Sequence, residues 1–381
     1  MRTILHIDFN SYFATVEQQA NPRLRGKPIG VTGGDRMERT VLGAASIEAK
    51  RFGVKTGMPI WEARKFCPQI ILVQGDSDKY LEVTKRFLNI IKEFSPYVEV
   101  FSIDEVFIQI YQKNSVSQNT SKSGNLIHRH TDILSYSDSL EIAQSIKKRI
   151  RQEIGEWMKV SIGISYNKLM AKLASNLQKP DGLVIIKNQA EAIKILDQIE
   201  LDEICGIGFR IKRRLNNSGV FNFRQLRKVP LAALLASYKS YGQILYNMAR
   251  GLDERPIIPF YEKEEVKSIG HRHTISHDTA DPDEIKQIML KLTELIARRL
   301  RAKKLVGKTV SFWLRSADFL GRGEQTTIPK TQDGLEIFQA AWRIFQKIWD
   351  GEKIRMVGIS ISNLRSQLPS TISLLPETKR Q

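Results

Sequence analysis

Asp104 and Glu105 stand side by side in the stretch Phe101 to Ile110, FSIDEVFIQI. Apolar, β-prone residues run from Tyr97 to Ile103 and again from Val106 to Ile110, so the pair is predicted at or beside the tight turn of a hairpin. Neighbouring side chains on a regular strand point to opposite faces, whereas at a turn they can converge. Carboxylates crowded together raise each other's pKa unless a cation lies between them. Two readings fit this stretch: a solvated Asp-Glu turn, and a divalent-metal site with hard oxygen ligands. A third acid, Asp8, closes the strand-like run Thr3 to Asp8, just before a helix predicted over Asn10 to Gln19. Strand ends beside helix starts are common places for a ligand, and solvated acids are equally common there.

Cations that could serve such a site lie in Tyr166 to Pro180, YNKLMAKLASNLQKP. The run reads as a helix with Lys168 and Lys172 one turn apart on one face. Such lysines ordinarily form a solvated stripe; near paired acids and a metal they can hold phosphate oxygens. Further on, Leu201 to Gly219 reads LDEICGIGFRIKRRLNNSG, with a Gly-Ile-Gly turn between two short helical pieces and a basic run, Arg210 to Arg214, behind it. Amides of a glycine turn can bind phosphate without reading sequence. Gly206, Gly208, Arg213 and Arg214 are therefore candidates for helix-hairpin-helix binding of a DNA backbone.

The charge balance agrees with a polyanionic partner. The 381 residues carry 59 Lys and Arg against 41 Asp and Glu, a net +18, which points to nucleic acid or a membrane surface. Residues 168–250 hold 14 basic and 6 acidic residues and residues 266–381 hold 20 and 12, a net +8 each, whereas residues 1–167 reach only +5. No long apolar segment predicts a membrane span, and the N-terminus opens on a strand without a signal-peptide pattern. Cys67 and Cys205 lie far apart, which argues against a disulfide scaffold, forms no metal-binding pair and suits a reducing compartment. A cytoplasmic protein is expected.

Positioning these residues takes an α+β chain of two or more domains. Residues 21–75 read as a small α/β segment, with strands over Lys27 to Val31 and Thr40 to Ala45 and helices over Ile47 to Phe52 and Pro59 to Phe66. Tyr80, Val83, Phe87, Ile90, Ile91 and Phe94 follow helical spacing over 79–94 and predict a core stripe. Lys113 to Ser139 is polar and aperiodic, which predicts a long loop or insertion. A helix over Leu140 to Ile154 and a buried strand over Val160 to Ser165 follow. Beyond a polar linker, strands over Ile269 to Thr274, Thr309 to Arg315, Glu324 to Ile328 and Arg355 to Leu364 alternate with helices over Asp283 to Lys304 and Gly334 to Trp349.

The order of motifs resembles the Y-family of translesion DNA polymerases, most closely its DinB (DNA polymerase IV-like) branch. HIDFNSYFATVE, EAKRFGVKTGMP, FSIDE, SIGISYNKLMAKLASNLQKPDG and ICGIG carry the resemblance, which extends over Met1 to Leu364. It implies a multidomain right-hand polymerase: a ferredoxin-like palm (1–18 and 78–167), small fingers (19–77), a helical thumb with a helix-hairpin-helix (168–250), a linker (251–265), a C-terminal α+β little finger (266–365) and a flexible tail (366–381). It implies a low-fidelity DNA-directed DNA polymerase acting in damage tolerance, on primer-template DNA and deoxynucleoside triphosphates. Asp8, Asp104, Glu105 and the carbonyl of Phe9 match the family's ligands for two Mg2+ ions, for which Mn2+ can substitute. Lys172 matches the triphosphate-binding lysine, with Lys168 on the same motif. Phe13 matches the steric gate that packs where a ribose 2′-hydroxyl would sit, with Tyr12 the next candidate.

Two departures stand out. Where the family often has Tyr-x-x-Arg in the fingers this chain has Ile47 and Lys50, with Arg51 next, so Lys50 and Arg51 compete for the triphosphate contact. The 113–139 segment is longer than the family leads one to expect. A monomer is expected, and the tail QLPSTISLLPE loosely resembles a sliding-clamp peptide. Two rival readings are a two-metal nuclease, which needs neither Phe13 nor the lysines, and a DNA-binding module that keeps the fold as a scaffold.

Overall fold

The computed structural model of the chain describes residues 2–33, 40–110, 136–262 and 265–366. Two compact units divide it, Met1–Glu262 and Lys263–Gln381. In the first, the order is β1 (Thr3–Phe9), α1 (Tyr12–Ala20), β2 (Ile29–Thr32), β3 (Leu42–Ala45), α2 (Ile47–Arg51), α3 (Ile60–Phe66), β4 (Ile71–Gln74), α4 (Ser77–Lys92), β5 (Val98–Val100), β6 (Glu105–Ile110), α5 (Tyr136–Glu153), β7 (Val160–Ser165), α6 (Lys168–Leu177) and β8 (Leu183–Ile186). Five helices follow: α7 (Gln189–Leu196), α8 (Phe209–Asn217), α9 (Phe223–Lys228), α10 (Leu231–Tyr238) and α11 (Ser240–Met248).

A five-stranded sheet of order β5-β6-β1-β7-β8 places β1 at its centre, antiparallel to β6 and β7. Alternation along β1 sends Leu5, Ile7 and Phe9 into a core shared with Phe87, Ile90 and Ile91 of α4 and Ala143, Ile146 and Ile150 of α5. The opposite face carries Ile4, His6 and Asp8, and α6 packs over it. What lets α6 come close is the register partners of those three residues on β7: Ser165, Gly163 and Ser161, all small. A Cβ on Gly163 would lie 2.1 Å from the Ala171 carbonyl oxygen and 2.3 Å from the Ser175 amide nitrogen. Gly163→Ala should therefore push α6 off the sheet and cost about 1–3 kcal/mol. A lowered urea midpoint is the expected result; an unchanged midpoint would show that α6 does not depend on this contact.

Several elements differ from the sequence expectations. Phe101 to Ile103 belong to the turn rather than to the strand, because the Phe101 and Ser102 amides both bond the Glu105 carbonyl, at 3.1 and 3.2 Å. β4 was not foreseen; it pairs in parallel with β2 in a sheet of order β3-β2-β4. Helix α5 begins at Tyr136, so Tyr136 to Ser139 are helical although polar, and the rest of the predicted loop lies outside the described residues. Residues 168–186 do not separate cleanly from the sheet. β8 pairs with β7 and α6 covers it, while Leu169, Met170, Leu173 and Ala174 share a core with the helices that follow. The segment read as a linker from 251 is bound to the first unit as far as 260. Ile257 packs with Ile4, Phe107 and Ala171, and the Phe260 amide donates to the Val98 carbonyl at 2.8 Å.

The second unit holds β9 (Ser268–Thr279), α12 (Pro282–Ala302), β10 (Leu305–Ser316), β11 (Gly321–Thr331), α13 (Gly334–Ile348), β12 (Ile354–Ser362) and β13 (Arg365–Ser366). Its sheet order is β11-β10-β12-β9, with β13 on β10. Val310, Phe312 and Leu314 alternate into a core with α12 and α13. On the other face Trp313 takes Arg272 and Arg315 over its ring, at 5.4 and 5.0 Å. The tail expected from residue 366 starts with Ser366 still paired to Leu305; its remainder lies outside the described residues.

Candidate active site

The hairpin and the central strand bring two of the three acids together. Asp8 and Glu105 are register partners across β1 and β6, so their side chains share the face under α6. Their carboxylates and the His6 imidazole offer donor atoms all within 4.8 Å of one another. Asp104 stands one residue earlier, in the turn. Its carbonyl accepts from the Phe9 amide at 3.0 Å, and its carboxylate accepts from the Ser102 hydroxyl at 2.5 Å.

The three acids open onto one cavity of about 610 Å3. Asp8, Asp104 and Glu105 form its acidic side; Lys50, Arg51 and Lys179 form a basic one; Phe13, Tyr12 and Ile47 supply apolar surface. Phe13 is half-buried and stacks on Tyr80, with ring centroids 4.4 Å apart. Tyr12 is only 3% exposed, and its hydroxyl lies 2.8 Å from both the Tyr80 carbonyl and the Thr84 hydroxyl, so its polar end is committed behind the wall. The Ser11 hydroxyl, on the same wall, is buried without a partner among the described residues.

Electrostatics set the two opposed acids apart. Burial pushes Asp8 up to about 6, against the pull of Lys179 3.0 Å away, and Glu105 adds to the rise. Burial also disfavours the charge on Glu105, but hydrogen bonds from His6 and Lys172 outweigh it and hold this carboxyl down to about 2. His6 is fully buried, and burial lowers its ring to about 4. Lys50 is also lowered, by its surroundings and by Lys179. Burial at Asp8 thus outweighs the lysine beside it. Carboxylate oxygens so placed fit a hard divalent cation.

The lysines diverge. Lys172 of α6 reaches Glu105. Lys168, one turn earlier, does not line the cavity; it bonds both oxygens of Glu99 at 2.7 Å and the Pro256 carbonyl at 3.1 Å, with its side chain 7% exposed. Lys168, expected beside substrate, thus has its three donors engaged inside the protein. Lys179 and His6 were not foreseen. Lys179 lies in the same quoted stretch, just past the end of α6, and a third cation there was the available signal. For His6 there was none, because its partners are 99 and 169 residues away.

Away from the cavity, Gly206 takes φ +111° and Gly208 caps α8, whose first-turn amides have no intrahelical acceptor. Arg213 is exposed; Arg214 donates to the Ser237 carbonyl at 2.5 Å and lies over the Tyr238 ring. No helix among the described residues is long and apolar enough to cross a membrane.

Comparison with known proteins agrees along the whole chain. The impB/mucB/samB family matches residues 7–176 and its C-terminal domain matches residues 266–374. A DNA polymerase IV of Pelotomaculum thermopropionicum is 36% identical over 99% of this chain and 89% of its own length. One of Moorella thermoacetica is 34% identical over 97% and 87%. A solved Y-family DNA polymerase chimera superposes with a TM-score of 0.79 at 23% identity, over 96% of this chain and 99% of that one, a likeness of fold. The α+β, multidomain architecture is that of this chimera, and the chain belongs to the impB/mucB/samB family, with relatives here that are DNA polymerases IV.

Proposed function

We propose that this chain is a DNA-directed DNA polymerase of the translesion type, adding deoxynucleotides to a primer 3′ end at low fidelity and serving damage tolerance. The observation that carries the reading is the single cavity in which Asp8, Glu105 and Asp104 face Phe13 and the cations Lys50, Arg51 and Lys179. Asp8, Asp104, Glu105 and the Phe9 carbonyl would hold two Mg2+ ions, with Mn2+ as a substitute. Bound divalent ions lower the pKa of an attacking hydroxyl and neutralise a departing pyrophosphate. Lys50, Arg51 and Lys179 would hold triphosphate oxygens, and Lys172 would share that charge from its place on Glu105. The Gly206 and Gly208 turn, with Arg213, would meet backbone phosphates, as would the basic second unit, giving affinity that falls steeply with salt. Arg214, with one of its five N–H donors on the Ser237 carbonyl, would add its charge there. The proposal includes a cytoplasmic monomer; a clamp-binding role for the tail concerns residues outside those described.

Phe13 supplies the test. Its half-buried ring on the cavity wall would leave no room for a 2′-hydroxyl, and overpacking of that kind costs roughly 1–3 kcal/mol. Phe13→Ala should therefore raise ribonucleotide use relative to deoxynucleotides by about tenfold or more, while deoxynucleotide addition survives. Single-nucleotide kinetics with matched ribo- and deoxyribonucleotides measure this. Metal-dependent DNA degradation without nucleotides, or an unchanged sugar preference in an active mutant, would count against the reading.

A further inference from the structure

We infer that His6, locked by Ser175, is a positioning residue for Glu105. The inference rests on reading the carboxylate cluster as a divalent-metal site. The His6 ring sits in the middle of the sheet face under α6. Its register partners are Phe107 on β6, whose ring centroid lies 4.5 Å away, and Gly163 on β7. Nε2 lies 3.0 Å from Glu105 Oε2, and Nδ1 lies 2.7 Å from Ser175 Oγ. An ionised carboxylate only accepts, so Nε2 carries the hydrogen. The neutral ring then presents a lone pair at Nδ1, and the Ser175 hydroxyl is the donor that meets it.

That hydroxyl has an alternative acceptor, the Lys172 carbonyl at 2.9 Å. It has one proton, and giving that proton to Nδ1 selects the tautomer that can hold Glu105. Residues from β1, β6 and α6 are thereby tied through one carboxylate. Both contacts to Glu105, from His6 and from Lys172, fall on Oε2, and none among the described residues falls on Oε1. The tether thus fixes one oxygen and leaves the other for the cavity. Without it, a glutamate with three rotatable bonds would sample several orientations, and a hard cation would have to order it on binding. Partners of ligating carboxylates typically change metal affinity by 10–100-fold when removed.

The test is Mn2+ binding to the DNA-free protein, followed by paramagnetic resonance, with melting temperature and DNA affinity measured alongside. His6→Leu removes the donor and should weaken Mn2+ binding about tenfold or more. His6→Gln keeps an N–H donor of similar reach and should recover most of the affinity. Ser175→Ala frees the tautomer and should weaken binding severalfold with little change in melting temperature, so it decides the matter if His6→Leu fails to fold. Equal losses in His6→Gln and His6→Leu would mean that the ring only fills space, and would overturn the inference. So would wild-type Mn2+ affinity in either His6→Leu or Ser175→Ala. Asp8→Ala is the control. If it too binds Mn2+ normally, the metal-site reading itself fails; if it alone loses Mn2+, only the role of His6 does.

Discussion

Asp8→Ala and Asp104→Ala should each reduce nucleotide addition at least about a thousandfold, a loss of about 4 kcal/mol in transition-state stabilisation, while DNA affinity changes little. Primer extension in Mg2+ measures the first and fluorescence anisotropy the second. The two acids reach the cavity by different routes, Asp8 from the central strand and Asp104 from the turn, so they test separate parts of the site. Asp8 also carries a stability signature. Its pKa is raised in the folded protein from 3.8 to about 6. A group raised in this way contributes stability below its unfolded pKa and loses it as pH rises through the folded value. Metal-free Asp8→Asn should therefore be more stable than the wild type at pH 7.5, by up to about 3 kcal/mol, with the gain fading as pH falls from 6 towards 4. An inactive but more stable variant is what a site residue gives when function, not folding, has placed it. Normal extension by either alanine mutant, or a clear loss of stability in Asp8→Asn, would remove these acids from the roles assigned.

Lys168→Ala should do the reverse of what a substrate-binding lysine does. Glu99 is 13% exposed in its side chain and pairs with Lys168 through both oxygens. Deleting the ammonium leaves that carboxylate buried with only the Ile258 amide as a donor among the described residues, and strands the Pro256 carbonyl. Breaking a buried pair from one side costs about 3–5 kcal/mol. Lys168→Ala should lose about that much in urea melting, and Lys168→Met with Glu99→Leu should recover most of it, since no unpaired charge then remains. Apparent nucleotide affinity should hold wherever the mutant is folded. A raised KM for nucleotide without loss of stability would restore Lys168 to the substrate.

The contrast between Lys168 and Lys172 shows where local information ends. Helical periodicity places both on one face of α6, and that much is legible in YNKLMAKLASNLQKP. How far the helix sits along the sheet is set by Gly163, Ser161 and Ser165 on another strand, and a shift of one turn would put one lysine where the other now stands.

The sequence by itself determined the strand–turn–strand around Asp104 and Glu105, the strand that ends near Asp8, the amphipathic helices α4, α12 and α13, and the basic character of the chain. These follow from alternation, turn chemistry and composition, all of which act over a few neighbouring residues. The tertiary structure alone decided that Asp8 lies opposite Glu105 in register, that Lys179 rather than Lys168 joins the cavity, and that residues 251–260 bind to the first unit. It alone decided, too, that His6 meets Ser175 and Glu105. The reason is that pairing register and helix placement are settled by packing between segments far apart in the chain. No pattern within any one segment specifies which of its polar groups will find a partner there.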